Sequence, residues 1–333
     1  KVNISSFLNN DQLLNKHSIN NHLYELSLAG GKLITKENKK GKLMFMVNTD
    51  SPKTLFTSTD KNYIFGNNIS SNNFFNEAKQ KLNLNSRDTD QRFFDNPYFY
   101  HSNNDLSFTY NVGDASAEVF SELEGRDIGI SLNYQPGLNK RNKIQTYGDL
   151  ELSLGIVLED KKVLNSQSSG VFSLGENSST TFVGVKYRKN LNDLNLFANL
   201  YYGSTDISQQ KNSYINLDDS VLSNSYAIGL IKDNWLKKGQ KIAVILDQPQ
   251  KIIEGRGTLT VPLSSNRNRE VTMEDINLNL VSSETQNNYS VYFEKSFNRD
   301  ESFHLNLTHI DNPYHDGNRK SENNLSVIYK KYF

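Results

Sequence analysis

The sequence predicts an all-β fold, an antiparallel transmembrane β-barrel of about 12 strands with a small helical or irregular N-terminal segment. Three observations support this fold class. Only 36% of the 333 residues are hydrophobic, yet the chain contains 18 Phe and 17 Tyr, which is too aromatic for a solvated, disordered chain. Apolar and polar residues alternate from residue 104 to the end. No apolar run reaches the roughly 18 residues that a membrane-spanning helix needs.

The alternation predicts which side chains face lipid. In residues 192–203, Leu194, Leu196 and Leu200 would face lipid, whereas Asn199 would face the lumen. Successive side chains of a strand point to opposite faces, so each alternating set forms one wall of the barrel. The pattern recurs to the C-terminus in segments of about 9–12 residues, which suits a tilted membrane-spanning strand.

The connections between the predicted strands differ in length. Short turns are expected at 192–193, 237–239 and 298–300, and long loops at 204–220 and 311–320. Short turns at one end and long loops at the other are typical of outer-membrane barrels. A soluble β-sandwich is the alternative fold, but its strands are usually shorter and its turns more frequent.

Composition and charge argue against several function classes. The chain has 37 basic and 37 acidic residues, so it lacks the basic excess that usually accompanies nucleic-acid binding. It has no cysteine, which excludes disulfides and thiolate metal sites. His304 and His315 lie near Asp311 and Asp316, but we interpret this segment as a polar loop. We predict no cofactor, no metal site and no enzymatic activity in this chain.

The first 103 residues show no sustained alternation. We predict that residues 1–103 form an N-terminal linker or plug segment with short helices and strands, and that residues 104–333 form the barrel. Residues 1–40 have a weak helical pattern, and a helix is expected at about 71–82. Whether residues 42–66 belong to the barrel, to a passenger remnant or to a cap is left open by the sequence.

Several charged residues lie on the polar faces of predicted strands. Lys186 and Arg188, for example, alternate with Val185 and Tyr187. Inside a barrel these charges could grip a linker or tune permeation, or they could simply pair with one another, because a buried charge must be paired or hydrated. The candidates for lumen-facing charges are Glu151, Lys186, Arg188, Glu254, Arg256 and Glu294.

The C-terminal strand resembles the signal that the barrel-assembly machinery reads in outer-membrane barrels. Leu325, Val327, Tyr329 and Phe333 share one face, and the chain ends on Phe333. Lys331 departs from the pattern, because an apolar residue is usual there. Tyr329 and Phe333 are therefore the candidate residues of the assembly signal.

Two segments resemble the C-terminal translocator barrel of subtilisin-like serine protease autotransporters of alphaproteobacteria. The first is Gly-Asp-Leu-Glu-Leu-Ser-Leu-Gly at 148–155, followed by matches within 163–184. The second runs from Leu-Asp-Gln-Pro at 246–249 to Leu-Thr-Val-Pro at 259–262. The resemblance covers roughly residues 104–333. Asn165 stands where the family usually has Gly, and Gln250 stands where it usually has Leu.

This resemblance implies that the barrel secretes and anchors an N-terminal, protease-like passenger in the outer membrane of a Gram-negative bacterium. Any protease activity would lie in a passenger outside this chain. The expected partners are outer-membrane lipid, the passenger domain and the barrel-assembly machinery, with no nucleic acid, and the barrel is expected to be monomeric. A helix from 4–27 or 71–82 would fill the pore. The alternatives are a porin-like channel or structural barrel and a soluble surface-binding β-sandwich.

Overall fold

The computed structural model consists almost entirely of antiparallel strands. It describes residues 23–28, 31–38, 41–47, 53–58, 63–67, 96–99, 105–112, 114–122, 126–136, 148–191, 193–217, 220–298 and 301–331. Before residue 68, only the backbone of the strands is described. No helix within these residues is long and apolar enough to cross a membrane.

Twenty-one strands are described, together with three short 3-10 turns at Pro97–Phe99, Gly170–Phe172 and Pro313–His315. The strands are β1 (Leu23–Leu28), β2 (Gly31–Asn38), β3 (Gly41–Val47), β4 (Lys53–Ser58), β5 (Tyr63–Asn67), β6 (Asp105–Val112), β7 (Ala115–Glu122), β8 (Ile128–Tyr134), β9 (Asp149–Asp160), β10 (Lys162–Val163), β11 (Ser166–Gln167), β12 (Asn177–Leu191), β13 (Leu194–Ser208), β14 (Ile215–Leu217), β15 (Ser220–Asp233), β16 (Gln240–Glu254), β17 (Arg256–Ser265), β18 (Val271–Asn279), β19 (Asn287–Asn298), β20 (Glu301–Asp311) and β21 (Glu322–Lys331).

Sixteen of these strands form one sheet, in which the strands lie side by side in the order in which they occur in the chain. The other five form a β10–β11 hairpin and a three-stranded β14–β17–β18 sheet. The predicted all-β, antiparallel architecture is confirmed. The predicted strand number of about 12 is wrong, because it did not count the strands of the first 103 residues. The β-sandwich alternative is also wrong, because a sandwich needs two packed sheets.

The sheet begins well before residue 104. Strands β1 and β2 lie where a weak helix was predicted, and β5 pairs with β6 through Phe65 and Phe108. Strands β1–β5 therefore belong to the main sheet and are not a separate linker or plug. Pairing with neighbouring strands outweighs a weak local helical preference, so the helical prediction for this region is wrong. The helix predicted at 71–82 lies outside the described residues.

The two ends of the sheet differ in their connections. We call one end of the sheet the short-turn end. After β6, the connections between strands at this end are short, with the exception of residues 135–148. All three predicted short turns lie at this end. The opposite, long-loop end carries the connections at residues 68–104, 161–176, 209–219, 255–286 and 312–321. Both predicted long loops lie there, so the predicted asymmetry is confirmed.

The long connections at this end are joined to one another. Strand β14 pairs with β17, which links the 209–219 connection to the 255–286 connection. The Tyr214 N–H donates to the Val171 carbonyl at 2.6 Å, and the Ser213 hydroxyl donates to the Ser173 carbonyl at 2.7 Å. Three loops therefore form one structured unit above the sheet.

The two faces of the sheet have opposite character. On the outer face, Leu132, Leu154 and Leu200 are more than half exposed, at 57%, 55% and 54%. On the other face, which we call the enclosed face, Phe120 and Phe182 have no exposed surface. The side chains alternate between these faces as the sequence predicts, so the predicted lipid-facing leucines form an apolar outer wall.

Candidate functional site in the barrel interior

A short segment of the 68–104 connection lies against the enclosed face. We call residues 96–99 the inner turn. Phe99, which is 1% exposed, packs edge-on against Phe120 of β7 and Phe182 of β12, with ring centroids 4.9 and 5.6 Å apart. Edge-to-face packing at such distances is a favourable arrangement for aromatic rings. The inner turn is therefore packed into the interior.

Tyr98 contacts the same wall residue, Phe182, and also fixes the inner turn to β15. Its ring stacks on Phe182 with centroids 5.1 Å apart and planes at 9°. Its hydroxyl donates to the Ser223 carbonyl of β15 at 3.1 Å and lies 3.0 Å from the Ser223 hydroxyl. Burial raises the pKa of Tyr98 to about 12, so the phenol stays protonated and remains a hydrogen-bond donor.

Glycines make room for the rings on the enclosed face. In four places an aromatic residue lies directly opposite a glycine of the adjacent strand, and a Cβ on that glycine would overlap the ring, at 2.5 Å in the case of Gly229. Gly203 makes the same room for Tyr98. The glycines therefore allow close ring packing against the backbone. The four pairs are Phe120–Gly129, Phe182–Gly155, Tyr201–Gly184 and Phe197–Gly229.

The β10–β11 hairpin also reaches the interior. Leu164 and Asn165, at its tip, have φ values of 49° and 63°, as a tight two-residue hairpin turn requires. The buried Glu159 carboxylate accepts both of their backbone N–H groups, at 3.0 and 2.6 Å, and the Ser178 hydroxyl at 2.9 Å. The hairpin tip shares a small cleft with Tyr98, so it packs beside the inner turn.

A buried ion cluster holds the base of this hairpin. Lys162 Nζ lies 2.8 Å from Glu122 Oε2 and 2.7 Å from Asp127 Oδ2. Asp127 has no exposed surface, and its other oxygen accepts the Asp160 N–H at 2.9 Å. Burial raises the pKa of Asp127, and Lys162 opposes that rise. The cation makes burial of the two carboxylates tolerable.

A polar row lines a second part of the enclosed face, on β19 and β20. The Tyr292 hydroxyl donates to Glu294 Oε2 at 3.1 Å and lies 2.5 Å from His304 Nδ1. His304 Nε2 lies 2.8 Å from the Ser302 hydroxyl. Glu294, Ser302 and His304 are not fully buried. This row can therefore offer hydrogen bonds to water or to a polar solute.

Four of the predicted lumen-facing charges lie on the enclosed face. Lys186 and Glu151 are opposite each other on β12 and β9, with Nζ and Oε1 2.9 Å apart. Arg188 follows Lys186 on the same face, and Glu294 belongs to the polar row. Glu151 and Lys186 form an ion pair, as the pairing interpretation expected.

The assignment of Glu254 and Arg256 to the lumen is wrong. Arg256 lies in β17, which belongs to the three-stranded sheet, and it is exposed. Glu254 is exposed where β16 ends. The β15–β16 pairing has two register irregularities, near Leu222 and Asn224, so strict alternation cannot be extended through this region.

The candidate assembly signal is only partly described. Tyr329 is exposed on β21 opposite Phe303, and its hydroxyl donates to the Glu301 carboxylate. Phe333 lies outside the described residues. The role of these two residues as an assembly signal stays a prediction.

Sequence reasoning did not find Tyr98 and Phe99, because residues 83–103 show no period. A local signal was present: Asn96 precedes Pro97, a pair that favours turns. The Asn96 side-chain oxygen accepts the Tyr98 N–H at 3.0 Å, and its carbonyl accepts the Phe99 N–H at 3.0 Å. In the sequence, the inner turn could have been recognised from two aromatic residues that directly follow this turn-forming pair. Among the described side chains, no cluster of three or more His, Asp or Glu could hold a metal ion.

Comparisons with known proteins identify the fold but no family. No family model matches the chain, and no curated protein matches its sequence. Two solved structures of OmpT, an outer-membrane protein of Vibrio cholerae folded in vitro, are similar to it with a TM-score of 0.50 each and 9% identity. One covers 94% of this chain and 95% of its own, and is described as the trimer form. The other covers 94% of both chains. The chain has the fold of an outer-membrane β-barrel protein. In a barrel of this fold, the enclosed face is the one that lines the lumen.

Proposed function

We propose that this protein is a porin-like channel in the outer membrane of a Gram-negative bacterium, and that small polar solutes pass through a lumen narrowed by the inner turn. The observation that carries the proposal is the inner turn itself, packed against one side of a sixteen-stranded barrel. Barrels of about 16–18 strands are wide enough to leave an aqueous channel. A segment folded into such a barrel would restrict what can pass.

The outer face supports a membrane location. Its exposed side chains are mainly apolar along β8, β9 and β13, and polar residues lie on the enclosed side of the same strands. This distribution is the reverse of that of a soluble protein, and lipid would cover the apolar side. Pairing of β1 with β21 would close the sheet and satisfy its backbone hydrogen bonds without water.

The two sides of the lumen would have different roles. One side of the lumen is formed by the neighbouring wall strands β7, β8, β9, β12, β13 and β15. The inner turn and the β10–β11 hairpin fill this side, and aromatic rings pack on glycines there. The polar row on β19 and β20 would line the open path, where Ser290 and Thr308 add two hydroxyls 2.9 Å apart. A passing solute could exchange its bonds to water for bonds to these groups.

The proposal is tested with the full chain folded in detergent. A boiled and an unboiled sample should differ in gel mobility if the barrel is closed and folded. The folded protein inserted into planar lipid bilayers should then give stepwise conductance. Folded protein that shows no conductance in such bilayers would contradict the channel function.

The translocator role is a second proposal. It is supported by the resemblance of residues 148–184 and 246–262 to autotransporter barrels, and by the tightly packed rings, which leave little room for solutes on that side. A reporter domain fused before Lys1 should then reach the surface of a Gram-negative host. Retention of the reporter in the periplasm, with a folded barrel, would contradict this role. Cross-linking in detergent would test the monomeric state.

A further inference from the structure

His315 joins two long connections to the barrel wall. It lies in the 312–321 connection and is 9% exposed. Its Nδ1 accepts the Gln286 N–H at 2.9 Å, and its Nε2 lies 3.1 Å from the Gln250 carbonyl, to which it must donate. A ring that accepts at Nδ1 and donates at Nε2 is the neutral imidazole. Both bonds are therefore satisfied together only while His315 is uncharged.

The 312–321 connection around His315 makes further hydrogen bonds to the same connection that carries Gln286. The His315 carbonyl accepts the Glu284 N–H at 3.2 Å, and the Tyr314 N–H donates to Gln286 Oε1 at 2.7 Å. Asn312, Tyr314 and His315 have φ values of 49°, 60° and 61°. Left-handed conformations are uncommon for residues other than glycine, and the one at the bulky Tyr314 is unfavourable. The loop keeps this shape only while its partners compensate for the cost.

The contact continues to the inner turn. The side chain of Gln250, whose carbonyl receives the His315 bond, donates from Nε2 to the Ser223 hydroxyl at 3.3 Å. That hydroxyl lies 3.0 Å from the Tyr98 hydroxyl. One network thus connects the loop, the wall and the segment that narrows the lumen.

Protonation would break one of the two ring bonds. A protonated ring carries a hydrogen on Nδ1, which would face the Gln286 N–H, so two donors would oppose each other. The charged groups on the elements around the ring are Lys251 on β16 and, on the two connections, Glu284, Asp316 and Arg319. Burial lowers the pKa of His315, and the positive charge of Lys251 acts in the same direction, while the bond to Gln250 opposes them.

We propose that His315 is an acid-released latch: the neutral ring holds residues 284–286 and 312–316 on the rim of the barrel, and the protonated ring releases them. Regulation of solute passage by this latch rests on the proposed channel function, whereas the latch itself does not. The latch is fully closed above pH 6.5, the ordinary pKa of histidine, and opens as the pH falls through the lowered pKa of the latched ring.

The test measures hydrogen exchange at the Gln286 amide in the full chain, folded in detergent, from pH 8 to pH 4. Each rate is divided by the intrinsic exchange rate at that pH. Between pH 6.5 and the lowered pKa, the normalised rate should rise up to about tenfold per pH unit. His315→Gln keeps an acceptor and a donor but does not titrate, so it should remove this dependence whatever its absolute rate. His309→Gln, at an exposed position on β20, is the matched control and should keep it.

A normalised rate that does not change with pH in the native protein would overturn the proposal. The same pH dependence in His315→Gln would also overturn it. Conductance measured on the same samples separates this result from the channel function. Conductance with a pH-independent Gln286 amide would contradict the latch alone, and a pH-dependent amide without conductance would contradict the channel alone.

Discussion

Replacement of Tyr98 tests whether the inner turn narrows the lumen. Tyr98→Ala removes a ring that is 4% exposed, stacks on Phe182 and hydrogen-bonds Ser223. Truncation of a large buried aromatic side chain costs about 3–5 kcal/mol, including the lost contacts. Tyr98 belongs to a connection and not to the wall. The substitution should therefore destabilise the packing of the inner turn against the wall and leave the barrel itself folded. At about 1.4 kcal/mol per tenfold change, the packed position of the inner turn loses roughly 10²–10⁴-fold in relative population.

The assay is single-channel recording in planar bilayers. Tyr98→Ala should show larger or more frequent high-conductance levels than the native protein, while the heat-modifiable mobility of the barrel stays the same. Tyr98→Phe keeps the ring and loses the bonds to Ser223, worth about 0.5–1.5 kcal/mol, so it should show a smaller effect. Phe172→Ala, at an exposed aromatic residue of another loop, should change nothing. A folded Tyr98→Ala protein with native conductance would refute the idea that the inner turn restricts the lumen.

Three further substitutions test the wall and its ion cluster. Gly155→Val should sharply lower the yield of the heat-modifiable form, because the new side chain overlaps the Phe182 ring, and a native yield would contradict this packing. Leu154→Arg places a charge on the outer face and should weaken folding into lipid vesicles by about 2–4 kcal/mol if the strand crosses near the bilayer midplane. Lys162→Met leaves Asp127 buried without its cation and should lower the free energy of unfolding by about 3–5 kcal/mol, measured by urea titration in detergent. That loss should shrink as the pH falls, because protonation neutralises Asp127; a loss that grows with acid would contradict the assignment.

The outer wall was predictable from the sequence because strand geometry dictates it. Alternation identified Leu200 as outward-facing, and it is exposed. The same rule placed Glu151 and Lys186 inside, where they pair. Residues 23–38 were missed because their alternation is weak, and strand pairing, which a single sequence does not reveal, determines their structure.

The interior was much harder to predict. Glu254 was misplaced because register irregularities interrupt alternation between β15 and β16. Tyr98 and Phe99 were missed because their burial depends on Phe120, Phe182 and Ser223, which are distant in the chain. No period in the sequence encodes such contacts.

The ring-on-glycine pairs have a consequence for assembly. A strand that arrives two residues out of register keeps its apolar side outward, so the lipid-facing pattern alone would not reject it. The pairs would reject it: Tyr201, which lies opposite Gly184, would meet Phe182 or Lys186 instead. Each ring thus fits only when the adjacent strand is in the native register. Steric clashes on the enclosed face therefore exclude register shifts that would leave the lipid-facing pattern unchanged.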